Sequence, residues 1–503
     1  MNLHLIHTTL AVALAGLLAS PATAQPSADV ALPSAPAAQV APPAPLELNM
    51  PLAPTGRAPV ATPSIAPHSP NASAQPATAP APVAAAEAPL PTPSPDAQQA
   101  YMAARDKLVQ IRTLRRQTNT QSSTGSGFYV SADGLLITNY HVISQLALEP
   151  ERHRAVLVAV DGKEAPVQLL AVDVLHDLAL LRVARVEGDA PVSYSALPLR
   201  PDDKPLNGGE RIFSLGNPLD VGFAITEGTY NGLVQRSFYP RIFFGGTLNP
   251  GMSGGPAIDT QGRVVGVNVA KRLGAEQVSF LVPVQFVEKL LASGRDAQPV
   301  KAALHAEVTK QLMLHQQDLV DRLLGGTSRT ERYGPYRVPV PSESLARCWG
   351  DGRERRSESL FDFERSQCRI DSEVFTGDGD VGGLGMRYEA YDAPRLSPWQ
   401  FAQTYGQSFS NEPLRKRGNR VRTGYECRED FVASDAKLPM RAVVCMSAYR
   451  KFSGLYDLTV LAVSVDQPRQ GVLGRLNVSA VSFENAQRLA GYYLQGFSSE
   501  AAR

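Results

Sequence analysis

The sequence predicts an all-β core of antiparallel barrels or a sandwich, preceded by an unstructured tether and followed by a separate α+β region. Three observations carry this. About a dozen short strand-like runs crowd between 123 and 282, several of them folded back at Asp-Gly or Gln-Gly turns. Helical periodicity is nearly absent there until 283–294. Beyond 332 strand and helix patterns mix, and all four cysteines appear.

At the N-terminus, "LAVALAGLLA" (10–19) is an apolar core too short to cross a bilayer, and "ATA" (22–24) offers small residues for cleavage after Ala24. Residues 1–24 therefore read as a signal peptide, which makes the mature chain exported, periplasmic or extracellular. From 25 to 93 the chain is Ala/Pro-rich with four charged side chains. Such a segment buries too little surface to offset its ordering entropy and reads as a disordered linker. The 49 basic and 48 acidic residues nearly cancel, leaving +1, so no charge excess points to nucleic acid.

Residues 94–117 read as an amphipathic helix capped by Ser94, with Pro95 first in the helix and Tyr101, Ala104, Leu108 and Ile111 on one stripe. The strand-rich domain spans 118–295. "GFYVSADGLLITN", "AVLVAVDGKEAPVQLLAV" and "PAIDTQGRVVGVNVA" are each two strands about a turn. A helix at 299–326 follows, with Leu304, Val308, Leu312, Leu319 and Leu323 along one side and Gly325-Gly326 as its stop. That stripe predicts packing within the chain rather than a coiled coil. Residues 332–500 form the α+β region. Its cysteine spacings of 20 and 18 suit Cys348–Cys368 and Cys427–Cys445, although four cysteines permit three connectivities. No CxxC pair and no histidine after 315 accompany them, so no metal site is expected.

The chemistry centres on "NPGMSGGPAI" (249–258). A serine needs a base to take its proton, and the base needs an acid to orient it. The strand-rich region has three histidines. His141 follows a strand, where a loop would place it in a cleft. His153, in "EPERHR", reads as a solvated loop residue, and His176 as structural. Asp177 starts the apolar run "DLALLRV", and a carboxylate there needs a partner. The chain order His141, Asp177, Ser253 is that of chymotrypsin.

Together, "TGSGFYVSADGLLITNYHV", "HDLALLRV", "SLGNPLDVGFAITEGTYNGLV" and "LNPGMSGGPAIDTQGRVVGVNVA" resemble the trypsin-like protease domain of the HtrA/Deg family. The resemblance implies a chymotrypsin-like double β-barrel with the active site between the barrels and no cofactor. It implies His141 as general base, Asp177 as its orienting acid and Ser253 as nucleophile. The turn Gly251, Met252, Ser253 would form the oxyanion hole through the N–H groups of Gly251 and Ser253. Val267, Asn268 and Val269 would bind substrate as an added strand, the two valines suggesting a small apolar pocket. Met252 and Gly245 stand where the family usually has Asn and Asp, and no PDZ domain is recognisable downstream.

The expected function is an exported serine endopeptidase acting on envelope or misfolded proteins through an acyl-enzyme intermediate. The alternative is a protease-fold chaperone or binding protein with little activity, targeted to the cell envelope by its C-terminal domain. Expected partners are protein or peptide substrates, an envelope or anionic polymer contacted through basic "RKRGNRVR" (415–422), and further copies of the chain in a homo-oligomer.

Overall fold

Period-two segments with one face to bury, and few helices to bury it against, satisfy their edges by closing on themselves. The computed structural model describes residues 94–500 except 186–191, 270–278, 327–328, 353–359, 411–417 and 435–437. The expected signal peptide and Ala/Pro-rich linker lie outside the described residues.

Helix α1 (Pro95–Ala104) is capped by the Ser94 hydroxyl, which accepts the Ala97 N–H. The first barrel comprises β1 (Leu108–Arg115), β2 (Gln121–Tyr129), β3 (Leu135–Thr138), helix α2 (Tyr140–Leu148), β4 (His153–Ala159), β5 (Glu164–Asp173) and β6 (Leu178–Val183). It closes in the order β1-β2-β3-β6-β5-β4. The amphipathic helix expected over 94–117 thus ends at Ala104, and Leu108 and Ile111 belong to a strand. β1 pairs with β2 on one side and β4 on the other, and those two ladders, which close the barrel, outweigh a local helical pattern. His153 is buried at the start of β4 instead of solvated.

The second barrel contains β7 (Arg211–Gly216), β8 (Ala224–Leu233), β9 (Ile242–Phe244), β10 (Pro256–Ile258), β11 (Val264–Val269) and β12 (Ser279–Pro283), closed in the order β10-β11-β12-β9-β8-β7. Each hairpin turn expected from sequence has its glycine, Gly134, Gly162 or Gly262, at positive φ. Helix α3 (Val284–Gly294) wedges against both barrels: Phe286, Val287 and Leu290 share one apolar cluster with Leu178 and Leu180 of the first and Val264 and Val282 of the second. The chymotrypsin-like double barrel is therefore present, with a common core fixing one barrel against the other.

Helix α4 (His305–Gly325) leads to β13 (Arg329–Tyr333), β14 (Tyr336–Val340), β15 (Arg347–Gly352), β16 (Asp362–Ile370), β17 (Val374–Phe375), β18 (Asp380–Val381) and β19 (Leu384–Asp392). Then come α5 (Pro398–Ser410), β20 (Glu426–Ala433), β21 (Pro439–Ala448), β22 (Leu455–Ser464), β23 (Gln470–Ser482), α6 (Phe483–Gln495) and β24 (Ser498–Ser499). Seven strands form one antiparallel sheet, β15-β16-β19-β23-β22-β21-β20. On one face lie α4 and α6, burying Leu319, Leu323, Leu489 and Tyr493 against Leu384, Met386 and Leu476. On the other lies α5, whose Phe401, Tyr405 and Phe409 recur every fourth residue and meet Val443, Leu461 and Leu473. The C-terminal domain is thus α+β, as expected. Both disulfides have the local pairing, Cys348–Cys368 and Cys427–Cys445, each between directly opposed residues of neighbouring strands.

The apolar stripe of α4 serves two cores. Val308 and Leu312 join the cluster of the first barrel, and Leu319 and Leu323 join that of the C-terminal sheet.

Candidate active site

Asp177 stands between β5 and β6 with φ of +57°, a left-handed conformation that Asp tolerates at a cost on the order of 1 kcal/mol. This backbone lets one residue meet the start of α2 from two sides. Its carbonyl accepts the Tyr140 N–H at 3.1 Å and the Asn139 side-chain amide at 2.8 Å. Its Oδ1 accepts the His141 N–H at 2.9 Å, and its Oδ2 lies 2.7 Å from His141 Nδ1. Asn139, the N-cap residue, makes no side-chain cap of its own, so Asp177 supplies the acceptor that the exposed helix N–H groups require. Through this contact the carboxylate holds the proton on Nδ1 and leaves Nε2 with the lone pair. His141 therefore sits in the first turn of a helix, not in a loop.

Ser253 is buried in the turn entering β10 of the second barrel. Its carbonyl accepts the Ser126 N–H at 2.7 Å, which ties it to β2 of the first barrel. Gly125 is the point where the Ser253 turn meets α2. A Cβ there would come within 2.5 Å of Val142, the neighbour of His141, and 3.0 Å of the Ser253 carbonyl oxygen. Any side chain there would push Val142 or the Ser253 carbonyl out of place.

Ser126 does more. Its hydroxyl donates to the Gly251 carbonyl at 2.7 Å and accepts the Asn217 N–H at 2.9 Å, clamping the turn from beneath. The Pro250 carbonyl accepts the Leu219 N–H at 2.8 Å. Since this peptide is trans, the Gly251 N–H lies in the plane of that carbonyl and points in the opposite direction, away from Leu219. Gly251 has φ of +95°, and a Cβ would lie 2.4 Å from the Asn217 carbonyl oxygen. The Met252 N–H is bonded to the Asn249 carbonyl at 3.0 Å, which removes it as a donor to any ligand. Its side chain is buried, with its Cα only 2.7 Å from where a Cβ on Gly216 would stand.

The substrate-binding expectation for Val267, Asn268 and Val269 needs correction in its details. Asn268 is fully buried. Its Oδ1 accepts from the Ser214 hydroxyl at 2.8 Å, and its amide donates to the Leu215 carbonyl at 2.8 Å and to that of Met252 at 3.3 Å. Its backbone N–H and carbonyl bond to Gly255 and Gly254. No backbone group of Asn268 is left to pair with an added strand, so this residue braces the turn that carries Ser253. Val267 and Val269 point into the core shared by the barrels, and Val269 also borders a small crevice beside Asp177. His176 is structural: its Nδ1 is 2.7 Å from Asp173 Oδ2, and its ring stacks on Phe286.

Sequence reading missed Ser126 and Asn268 as supports. Ser126 lies inside "TGSGFYV", but the partners of its hydroxyl come from the other barrel.

Two six-stranded barrels, a His–Asp pair on one and a glycine-ringed serine on the other define the trypsin-like class of peptidase domain. The family profile described as "Trypsin-like peptidase domain" matches residues 125–267. The relatives are of the HtrA type. The chain is 32% identical over 181 residues to the "Probable periplasmic serine endoprotease DegP-like" of Bartonella henselae, covering 34% of each chain. It is 27% identical over 243 residues to "Serine protease PepD" of Mycobacterium tuberculosis, covering 43% of this chain and 50% of that protein. A crystal structure of the serine endoprotease from Yersinia pestis aligns with 40% of this chain and 66% of its own at 24% identity and a TM-score of 0.33. The chain thus spans about a third to a half of the length of these curated relatives.

Proposed function

We propose that the protein is an exported serine endopeptidase that cleaves envelope or misfolded proteins through an acyl-enzyme. The observation that carries this reading is the double contact of Asp177 with the His141 N–H and Nδ1, at the junction with a clamped, glycine-ringed serine turn. In the proposed reaction His141 Nε2 takes the Ser253 hydroxyl proton as the oxygen attacks the scissile carbonyl. Asp177 stabilises the imidazolium, and the N–H groups of Gly251 and Ser253 receive the oxyanion. The imidazolium then protonates the leaving amine, and water releases the acyl group by the same steps. Export rests on the N-terminal segment and on the periplasmic location in the name of one relative.

The test treats the mature chain with a fluorophosphonate probe and maps the adduct by mass spectrometry. An adduct at Ser253, lost in His141→Ala, is expected. Peptide cleavage should fall on the order of a millionfold in Ser253→Ala. Unchanged cleavage in that variant would refute the assignment.

A further inference from the structure

The hairpin of β17 and β18 belongs to the C-terminal domain by chain position, yet it lies on the two barrels. Its base is fixed to the second barrel, where the Phe238 N–H donates to the Asp371 carbonyl at 3.1 Å. Its tip rests on α2: a Cβ on Gly377 would stand 2.7 Å from Leu148 Cδ1. Beside it Asp378 pairs with Lys451 at 3.4 Å, and Lys451 reaches Glu149, the residue after α2, at 3.3 Å. The strap is therefore anchored at both ends.

Between these anchors Phe375 meets His141 edge to face, with ring centroids 6.4 Å apart and planes at 88°. Val374 and Phe375 close a crevice whose other walls include Val174 and Asp177 of the first barrel and Tyr239 and Val269 of the second, leaving about 30 Å³. That volume admits a water molecule and excludes a Leu or Phe side chain.

We propose that Phe375 is a specificity-determining residue, the wall of the substrate subsite beside His141, and that it restricts the side chain lodged there to Gly, Ala or Ser. This rests on the proteolytic reading above. The C-terminal domain is then part of the active site and sets what the protease accepts.

The experiment profiles cleavage of a peptide library by the mature chain and by Phe375→Ala, with Ser253 labelling by the fluorophosphonate in parallel. In Phe375→Ala, kcat/KM for peptides with Leu or Phe at one position near the scissile bond should rise about tenfold or more relative to their Ala counterparts. Phe375→Leu keeps most of the apolar contact and should widen the preference partway, so the readout survives if the Ala variant fails to fold. An identical preference at every position in both variants overturns the proposal. So does a uniform rise for all peptides, which would make the hairpin a plug. If the parent chain neither labels nor cleaves, the proteolytic reading fails and this one with it. If every variant labels and cleaves with one profile, only the subsite fails.

Discussion

Ser126 shows how much a single hydroxyl can organise. It holds the Gly251 carbonyl and the Asn217 N–H together, while its own N–H holds the Ser253 carbonyl. Removing the hydroxyl leaves both loop groups without their buried partner, at about 1 kcal/mol or more, and frees the turn that presents the Gly251 N–H. Ser126→Ala should therefore lower kcat by about tenfold with KM little changed, measured on one peptide substrate. A change confined to KM would show that Ser126 does not position the turn. Asp177 makes the same point through its backbone, since the left-handed turn is what turns its carbonyl and carboxylate onto one helix end.

Among the strands, those at the margins of the C-terminal sheet carry the covalent support. β15 and β20 are its two edges, and each is joined to its inner neighbour by one disulfide. Edge strands lack a second ladder, so a cross-link there constrains the least secured pairing. The bridges close segments with sequence separations of 20 and 18, worth about 3 kcal/mol each in the chain-entropy account. Reduction, or the paired Cys427→Ser and Cys445→Ser replacement, should lower the thermal midpoint of this domain by several degrees, followed by near-UV circular dichroism. An unchanged midpoint would mean that the strand ladders alone hold the sheet.

Protease core and C-terminal domain also meet through a buried histidine. His315 of α4 lies 2.7 Å from the Tyr239 hydroxyl through Nδ1 and 3.0 Å from the Gly382 carbonyl through Nε2. A neutral ring that donates from Nε2 and accepts at Nδ1 satisfies both partners. Burial holds its pKa below the ordinary value, against the raising effect of the Gly382 carbonyl and Asp318 and alongside the lowering effect of Arg322. The unfolded chain takes up this proton near pH 6.5, and the folded site resists it. The contribution of His315 to stability is therefore full above about pH 6.5 and declines as the pH falls below that value. Thermal midpoints between pH 7.5 and 5 should fall less steeply in His315→Gln than in the parent chain. Equal slopes would show that this contact does not couple the domains to pH.

The barrels and the peptidase class were largely legible in the amino-acid order because their signals are local. Asp133-Gly134 must turn, "LLIT" must bury both faces, and the glycines of Gly-Met-Ser-Gly-Gly permit a tight positive-φ turn that other residues would resist. The two disulfide pairings were legible too, since short spacing favours neighbouring strands. Beyond Ala104 the chain shows where such reading fails: "LVQIRTLR" fits a helical stripe, and ladders to β2 and β4 decide that it is a strand. Asn268 lies in a segment the family resemblance assigns to substrate, yet its hydrogen bonds to Leu215 and Met252 turn it inward. Phe375 is 234 residues from His141 in sequence, and nothing near it announces a role. Contacts of that separation are chosen by the closing of barrels and the docking of α4 on two cores at once, where burial of whole faces outweighs any local preference.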